Sequence, residues 1–279
     1  MVFGEFEIHT FVEQQFRLDG GSMFGIVPKS IWARQMPADE NNLISMVTNL
    51  FVLKAHGKHI IFDIGLGDTL TDREKKIYST DGVSNLESGL AGLDLSVDDI
   101  DYVVLTHLHT DHAGGAVKQV DGKYVPRFPN ARYVIAEKEW EAALNPDERT
   151  AAVYVPERLT PLKQAGQVQF INSDGELLPG VSAVFTGGHT LGHFALEIES
   201  EDTSVFYYAD IFCSTAHLGV AWVPATDLFP LDTMKIKRRT IPRIVDHNVV
   251  MAFDHDVKMP LARITKEGRK PVATPVANG

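Results

Sequence analysis

Short apolar, β-branched runs recur along this chain, separated by polar or glycine-bearing stretches. Residues 43–53 and 59–64 form two such runs around His56-Gly57, which predicts a β-hairpin closed by a tight turn. Further strand-like runs occupy residues 102–105, 132–136, 168–171, 181–186, 194–198, 205–209 and 249–253. Helical spacing appears between them. Leu86, Leu90 and Leu93 stand at i, i+4, i+7, with Gly89 and Gly92 weakening the pattern. Ser96 and Asp99 have capping-box spacing ahead of a short helical turn. Residues 137–144 and 157–165 read as helices, and Asp232 is placed to cap a helix running toward Val245, kinked or broken at Pro242. Residues 1–45 mix turn chemistry (Asp19-Gly20-Gly21, Pro28, Pro37) with short apolar pieces and predict an irregular N-terminal meander. Strands with interspersed helices in both halves predict an α/β fold of two sheets with helices outside. No linker-like stretch divides residues 1–279, so a single domain is expected.

Composition narrows the function classes. The 279 residues are 44% hydrophobic and 23% charged, as in ordinary soluble domains. No apolar run is long enough for a membrane span. The start, "MVFGEFEIHTF", has neither the basic region nor the apolar core of a signal peptide. Cys213 is the one cysteine, which excludes an internal disulfide and fits a reducing, cytoplasmic setting. A net charge of −11 disfavours nucleic acid as a partner, and the one basic cluster, "KIKRR" at 235–239, reads as a solvated helix face.

The chemistry is concentrated in "VVLTHLHTDHAGG", residues 103–115, where His107, His109, Asp111 and His112 fall within six positions. In extended backbone, i and i+2 share a side, so His107 and His109 can hold one ion. Asp111 and His112 begin a turn into a helix, and Gly114-Gly115 lets backbone approach closely. Three other strand-like runs are followed by a potential ligand: His189, Asp210 and His255. Strand ends of one polarity gather at one sheet edge, the usual place for an α/β active site. Imidazole and carboxylate donors suit Zn²⁺ and other first-row divalent ions, and a cysteine-rich structural zinc site is excluded.

The other histidines read differently. His9, His56 and His59 fit surface or structural roles, as does His247. His193 is better placed to orient a ligand than to be one, and His217 is a candidate to line the pocket.

"THLHTDHAGG", "GGHTLGH", "YAD" and "FDHD" together resemble the metallo-β-lactamase superfamily, and "IIFDIGLGD" at 60–68 is similar to that family's early Asp-x-Gly turn. The resemblance covers about residues 45 to 255. It implies an αββα four-layer sandwich with a dinuclear metal site and a metal-bridging hydroxide as nucleophile. By the same resemblance, His107, His109 and His189 bind one metal and Asp111, His112 and His255 the other, with Asp210 bridging. Asp63 supports the site, and Asp111 orients the nucleophile or passes a proton to the leaving group. The implied cofactor is two divalent ions, Zn²⁺ first, with Fe, Mn or Co as alternatives.

Within the superfamily, "DGGSMFGIVPKSIW" and "ADIFCSTAHLGVAW" resemble the branch of N-acyl-homoserine-lactone lactonases and methyl-parathion-type hydrolases. Opening of a lactone or cleavage of an uncharged, partly apolar ester is the expected reaction, and phosphotriester hydrolysis is the alternative. Met23, Phe24, Ile26 and Trp32 fit either a pocket wall or ordinary core, and the N-terminal segment fits a pocket or a homodimer interface. Many of these lactonases carry a substrate-binding tyrosine three residues after the bridging aspartate. Cys213 stands there in this chain, and a thiol is a weak donor. A glutathione thioesterase fits less well, with only 24 residues after His255. A mononuclear iron dioxygenase on the same fold would leave His112 and His255 without a metal role.

Overall fold

The computed structural model describes residues 1–201, 203–268 and 270–276. In chain order, the first half lays down β1 (Val2–Phe3), β2 (Phe6–Asp19), α1 (Gly20–Phe24), α2 (Lys29–Trp32), β3 (Leu43–Ala55), β4 (Lys58–Phe62), α3 (Asp72–Ile77), α4 (Leu86–Ala91) and β5 (Tyr102–Leu105). Next come α5 (Thr110–Ala113), a small ribbon of β6 (Val117–Val120) and β7 (Lys123–Pro126), β8 (Arg132–Ala136), α6 (Glu137–Leu144), α7 (Pro156–Gln164) and β9 (Val168–Ile171). The second half is β10 (Gly175–Leu178), β11 (Val181–Phe185), β12 (Phe194–Glu199), β13 (Ser204–Tyr207), α8 (Pro230–Asp246), β14 (Val249–Ala252), β15 (Leu261–Glu267) and β16 (Lys270–Pro275).

Among the described residues these strands form two seven-stranded sheets, ordered β1-β2-β3-β4-β5-β8-β9 and β10 through β16 in sequence. The sheets pack face to face on Phe51, Phe62 and Val104 from one and Leu196, Tyr207 and Val250 from the other. The outer face of the first sheet packs Val103 and Tyr133 against Leu86, Trp140 and Leu159 of α4, α6 and α7. The outer face of the second packs Phe206 and Met251 against Ile236 and Ile244 of α8. This is the four-layer α/β sandwich that the sequence resemblance implies. The hairpin also forms as expected: His56 (φ 48°) and Gly57 (φ 73°) both take positive φ, the backbone of the turn that matches strand twist.

The N-terminal region departs from the irregular meander. β2 runs fourteen residues and pairs antiparallel with β3 from Glu7↔Lys54 to Asp19↔Leu43. The strand signal is broken by a bulge between Val12 and Gln14, beside which Glu13 and Gln14 are both buried. A bulge resets the two-residue alternation, and buried polar side chains hide it. Only the stretch after Asp19, with the short α1 and α2, keeps the irregular character.

α8 differs from its expectation in three ways. It starts at Pro230 behind Phe229, with Asp232 inside the first turn and ion-paired to Lys235 at 2.6 Å rather than capping. It continues through Pro242. Its basic cluster is not a uniformly solvated face: Lys237 is fully buried, donating to the carbonyls of His217 and Trp222 and lying over the Phe212 ring. Burial lowers that ammonium to about 8.

Candidate metal centre and active site

The chain folds its chemistry onto strand ends. β5 ends at Leu105 and leads through His107 and His109 into α5, which carries Asp111 and His112. Gly114 and Gly115 follow because the loop after β4 passes against them. A Cβ on either would stand 2.2 Å from a backbone oxygen, Leu66 or Ile64. In the second sheet, β11 ends four residues before His189, while β13 and β14 end three residues before Asp210 and His255. β13 and β14 pair in parallel, and β11 reaches β13 through one antiparallel strand, so all three exit on the same edge.

Two sets of donors meet there. His107, His109, His189 and Asp210 bring ligand atoms within 4.8 Å of one another, and so do His112, Asp210, Asp254 and His255. Asp210 serves both sets with different oxygens. Its Oδ2 lies 3.0 Å from His189 Nε2 and 4.0 Å from His107 Nε2. Its Oδ1 lies 3.4 Å from His112 Nε2 and 3.3 Å from His255 Nε2. Asp111 flanks the second set, its Oδ2 being 3.7 Å from His255 Nε2 and 4.0 Å from His112 Nε2. All seven residues named from the sequence are therefore in one place.

Three of the imidazoles are aimed by their other face. Asp63 accepts from His112 Nδ1 at 2.8 Å while also accepting from the Thr106 N–H, the Thr106 hydroxyl and the Tyr207 hydroxyl. His189 Nδ1 bonds Asp227 at 2.7 Å, and Asp227 in turn accepts from Thr233 of α8. His255 Nδ1 donates to the Val47 carbonyl at 2.9 Å. Glu139 is fully buried and ties both sheets' loops together. It accepts from the Leu108 and Gly192 N–H groups and from the Thr190 and Tyr154 hydroxyls. Tyr154 in turn packs on the His109 ring.

The donor set fits cations. His107 Nε2, Asp210 Oδ1 and both Asp254 oxygens are buried without hydrogen-bond partners, a costly state unless charge or coordination compensates. Burial, reinforced by neighbouring histidines, drives His107 and His109 well below the usual histidine range, leaving neutral imidazoles with free lone pairs. Burial opposes protonation of His189 too, but Asp210 outweighs it and lifts the group to about 10. At His255, burial is outweighed by Asp254 and Asp210, which lift it to about 9. The neighbouring carboxylates thus favour positive charge at these two rings.

Other candidates lie beside the centre. His193 bonds the Thr186 hydroxyl at 2.7 Å and packs on His107, its Nε2 without a hydrogen-bond partner. His217 is a core residue, bonded to Ser214 and the Met23 carbonyl and stacked on Phe24. Met23, Phe24 and Trp32 are buried in one apolar cluster with Phe16 and Cys213, whereas Ile26 is 85% exposed. The Cys213 thiol points to the Asp210 carbonyl at 3.4 Å, inside that cluster. Sequence reasoning missed Asp254, Asp227 and Glu139. Asp254 had a signal, since it directly precedes His255 in "FDHD"; Asp227 and Glu139 had none, because only the tertiary fold brings them to His189 and Leu108.

The family model described as the metallo-beta-lactamase superfamily matches residues 45–245. An N-acyl homoserine lactonase of Bacillus thuringiensis is 28% identical over 230 residues, covering 77% of this chain and 84% of that protein. A probable metal-dependent hydrolase from Staphylococcus aureus superposes with a TM-score of 0.90 at 29% identity, over 100% of both chains. AidC, a dizinc quorum-quenching lactonase crystallised with a product, superposes with a TM-score of 0.82 at 19% identity, over 100% of this chain and 97% of that one.

Proposed function

The chain belongs to the metallo-beta-lactamase superfamily of metal-dependent hydrolases, and from that premise we propose that it opens lactone rings of the N-acyl-homoserine type at a centre of two divalent ions. One observation carries the two-ion reading: the Asp210 carboxylate sends one oxygen to each histidine set. Bound there, two such ions, Zn²⁺ first, would acidify a shared water and polarise the ester carbonyl.

The chain's residues then divide the work. His107, His109 and His189 would hold one ion, His112, His255 and Asp111 the other, with Asp210 shared between them. Asp227 and Asp63 fix the rings of His189 and His112, each holding an Nδ1 so that Nε2 faces inward. Asp111, with its side chain 12% exposed, is the least buried of the set's carboxylates. Its role would be to take the proton the activated water gives up and pass it to the ring oxygen that leaves as the lactone opens. The lactone preference draws on the Bacillus thuringiensis relative, whose name states that activity, and makes signalling lactones the substrates to test. A homodimer through the N-terminal segment belongs to the same reading.

Phosphotriester hydrolysis is the second reading, and Cys213 favours it. The thiol is buried and turned to a backbone carbonyl, so it offers a lactone no hydroxyl donor from that position. The test is steady-state hydrolysis of a medium-chain acyl-homoserine lactone beside an aryl phosphotriester, with Asp210→Asn as the blank. A kcat/KM for the lactone of about 10⁴ M⁻¹s⁻¹ or more supports the first reading. Dominant phosphotriester turnover selects the second, and turnover of neither overturns both.

A further inference from the structure

Asp254 is the carboxylate that the inherited ligand set leaves out. It follows β14, directly before His255, and is 3% exposed with neither oxygen hydrogen-bonded. The contrast with Asp63, also beside His112, is instructive. Asp63 accepts from four donors, so its charge is spread over completed hydrogen bonds. Asp254 has none. Two ligand histidines stand beside it, His255 Nε2 at 3.5 Å and His112 Nδ1 at 3.6 Å. An ionised carboxylate buried without donors costs several kcal/mol, so Asp254 is stable as a charge only beside a cation.

The geometry names the cation's place. One Asp254 oxygen, one Asp210 oxygen and a ring nitrogen each from His112 and His255 all lie within 4.8 Å of one another. Donors sharing one ion at ~2.0–2.2 Å stand no farther apart than that. We propose that Asp254 is a carboxylate ligand of the ion held by His112 and His255. This rests on the two-ion reading above and gives it an asymmetry. Three histidines and one carboxylate serve the first position; two histidines and three carboxylates (Asp111, Asp210, Asp254) serve the second. Oxygen-rich sites suit harder ions, so the second position prefers Mn²⁺ more strongly than the first.

The experiment compares wild type with Asp254→Asn, a near-isosteric variant that keeps the shape of a protonated acid, both freed of metal beforehand. Each is titrated with Mn²⁺ alone and with Zn²⁺ alone, and metal content is counted. The expected result is two Mn²⁺ per wild-type chain and one tightly held Mn²⁺ in Asp254→Asn. The second Mn²⁺ should bind at least ~100-fold more weakly, with a smaller loss for Zn²⁺. Wild-type Mn²⁺ affinity and stoichiometry in the variant would overturn the proposal. Should the variant not fold, a crystal structure of Mn²⁺-loaded wild type decides. An Asp254 oxygen within ~2.2 Å of the second ion supports the assignment, and one beyond ~3.5 Å overturns it while leaving the two-ion reading intact. A wild type that takes a single ion overturns both.

Discussion

The two halves of the centre use the same residue types but are supported by different physics. Around His109 and His189, the buried carboxylates are occupied: Glu139 accepts from four donors, and Asp227 joins His189 to α8 through Thr233. Around His112 and His255, Asp63 is equally occupied, but Asp254 is bare and Asp111 adds a further acid nearby. One half is fixed by completed hydrogen bonds before any ion arrives. The other gathers buried carboxylate that few donors offset. Position is built into the first half and affinity for charge into the second.

Asp210→Asn should erase the distinction, because its two oxygens serve both halves. The expected loss in kcat is on the order of 10³-fold, beyond the 10- to 100-fold typical of groups that merely orient ligands. Steady-state rates and metal content check it, and near-normal activity would remove the bridging role. Asp63→Ala strikes chiefly the second half, stranding the buried hydroxyls of Thr106 and Tyr207 and the His112 Nδ1, and reaches the first half only through the Thr106 hydroxyl beside His107. About 3 kcal/mol of stability should be lost in urea unfolding of the metal-free protein. Glu139→Gln is the matching probe of the first half. An amide cannot accept from four donors, so one ion should bind ~10- to 100-fold more weakly while the other keeps its affinity. Equal weakening of both ions would break the comparison.

The smallest effect is a control outside both halves. Burial alone would raise the Glu74 carboxyl, but hydrogen bonds from Arg158 and Thr71 outweigh it and hold the group below its ordinary 4.5. A depressed carboxyl contributes stability above its unfolded pKa and loses it as pH falls through the folded one. The melting advantage of wild type over Glu74→Gln, on the order of 1 kcal/mol, should therefore persist at neutral pH and fade below about 4.5. A difference independent of pH would show that the charge is not its source.

Legibility in the sequence followed locality. The stretch from His107 to His112 is contiguous, so its residue types alone announce a ligand set, and His189, Asp210 and His255 each stand just past a strand that hydrophobic pattern reveals. Layering was legible for the same reason. β2 was not, because a bulge and the buried pair Glu13 and Gln14 break its alternation. Lys237 was misjudged because a buried ammonium satisfied by the His217 and Trp222 carbonyls looks, in sequence, like any solvated lysine. Asp227 and Glu139 answer donors 38 and 31 positions away, respectively, a relation no local pattern encodes.

The meeting of His109 and His189 also bears on how the chain stays folded. Their rings approach to 3.0 Å across 80 residues of sequence and join a loop of the first sheet to a loop of the second. With a single cysteine, the chain has no covalent cross-link of its own. An ion gripped by both rings would act as one, tying the ends of an 80-residue loop together in the folded chain. Such an ion would be a reversible staple between the two sheets, and the supply of metal would set how firmly it is closed.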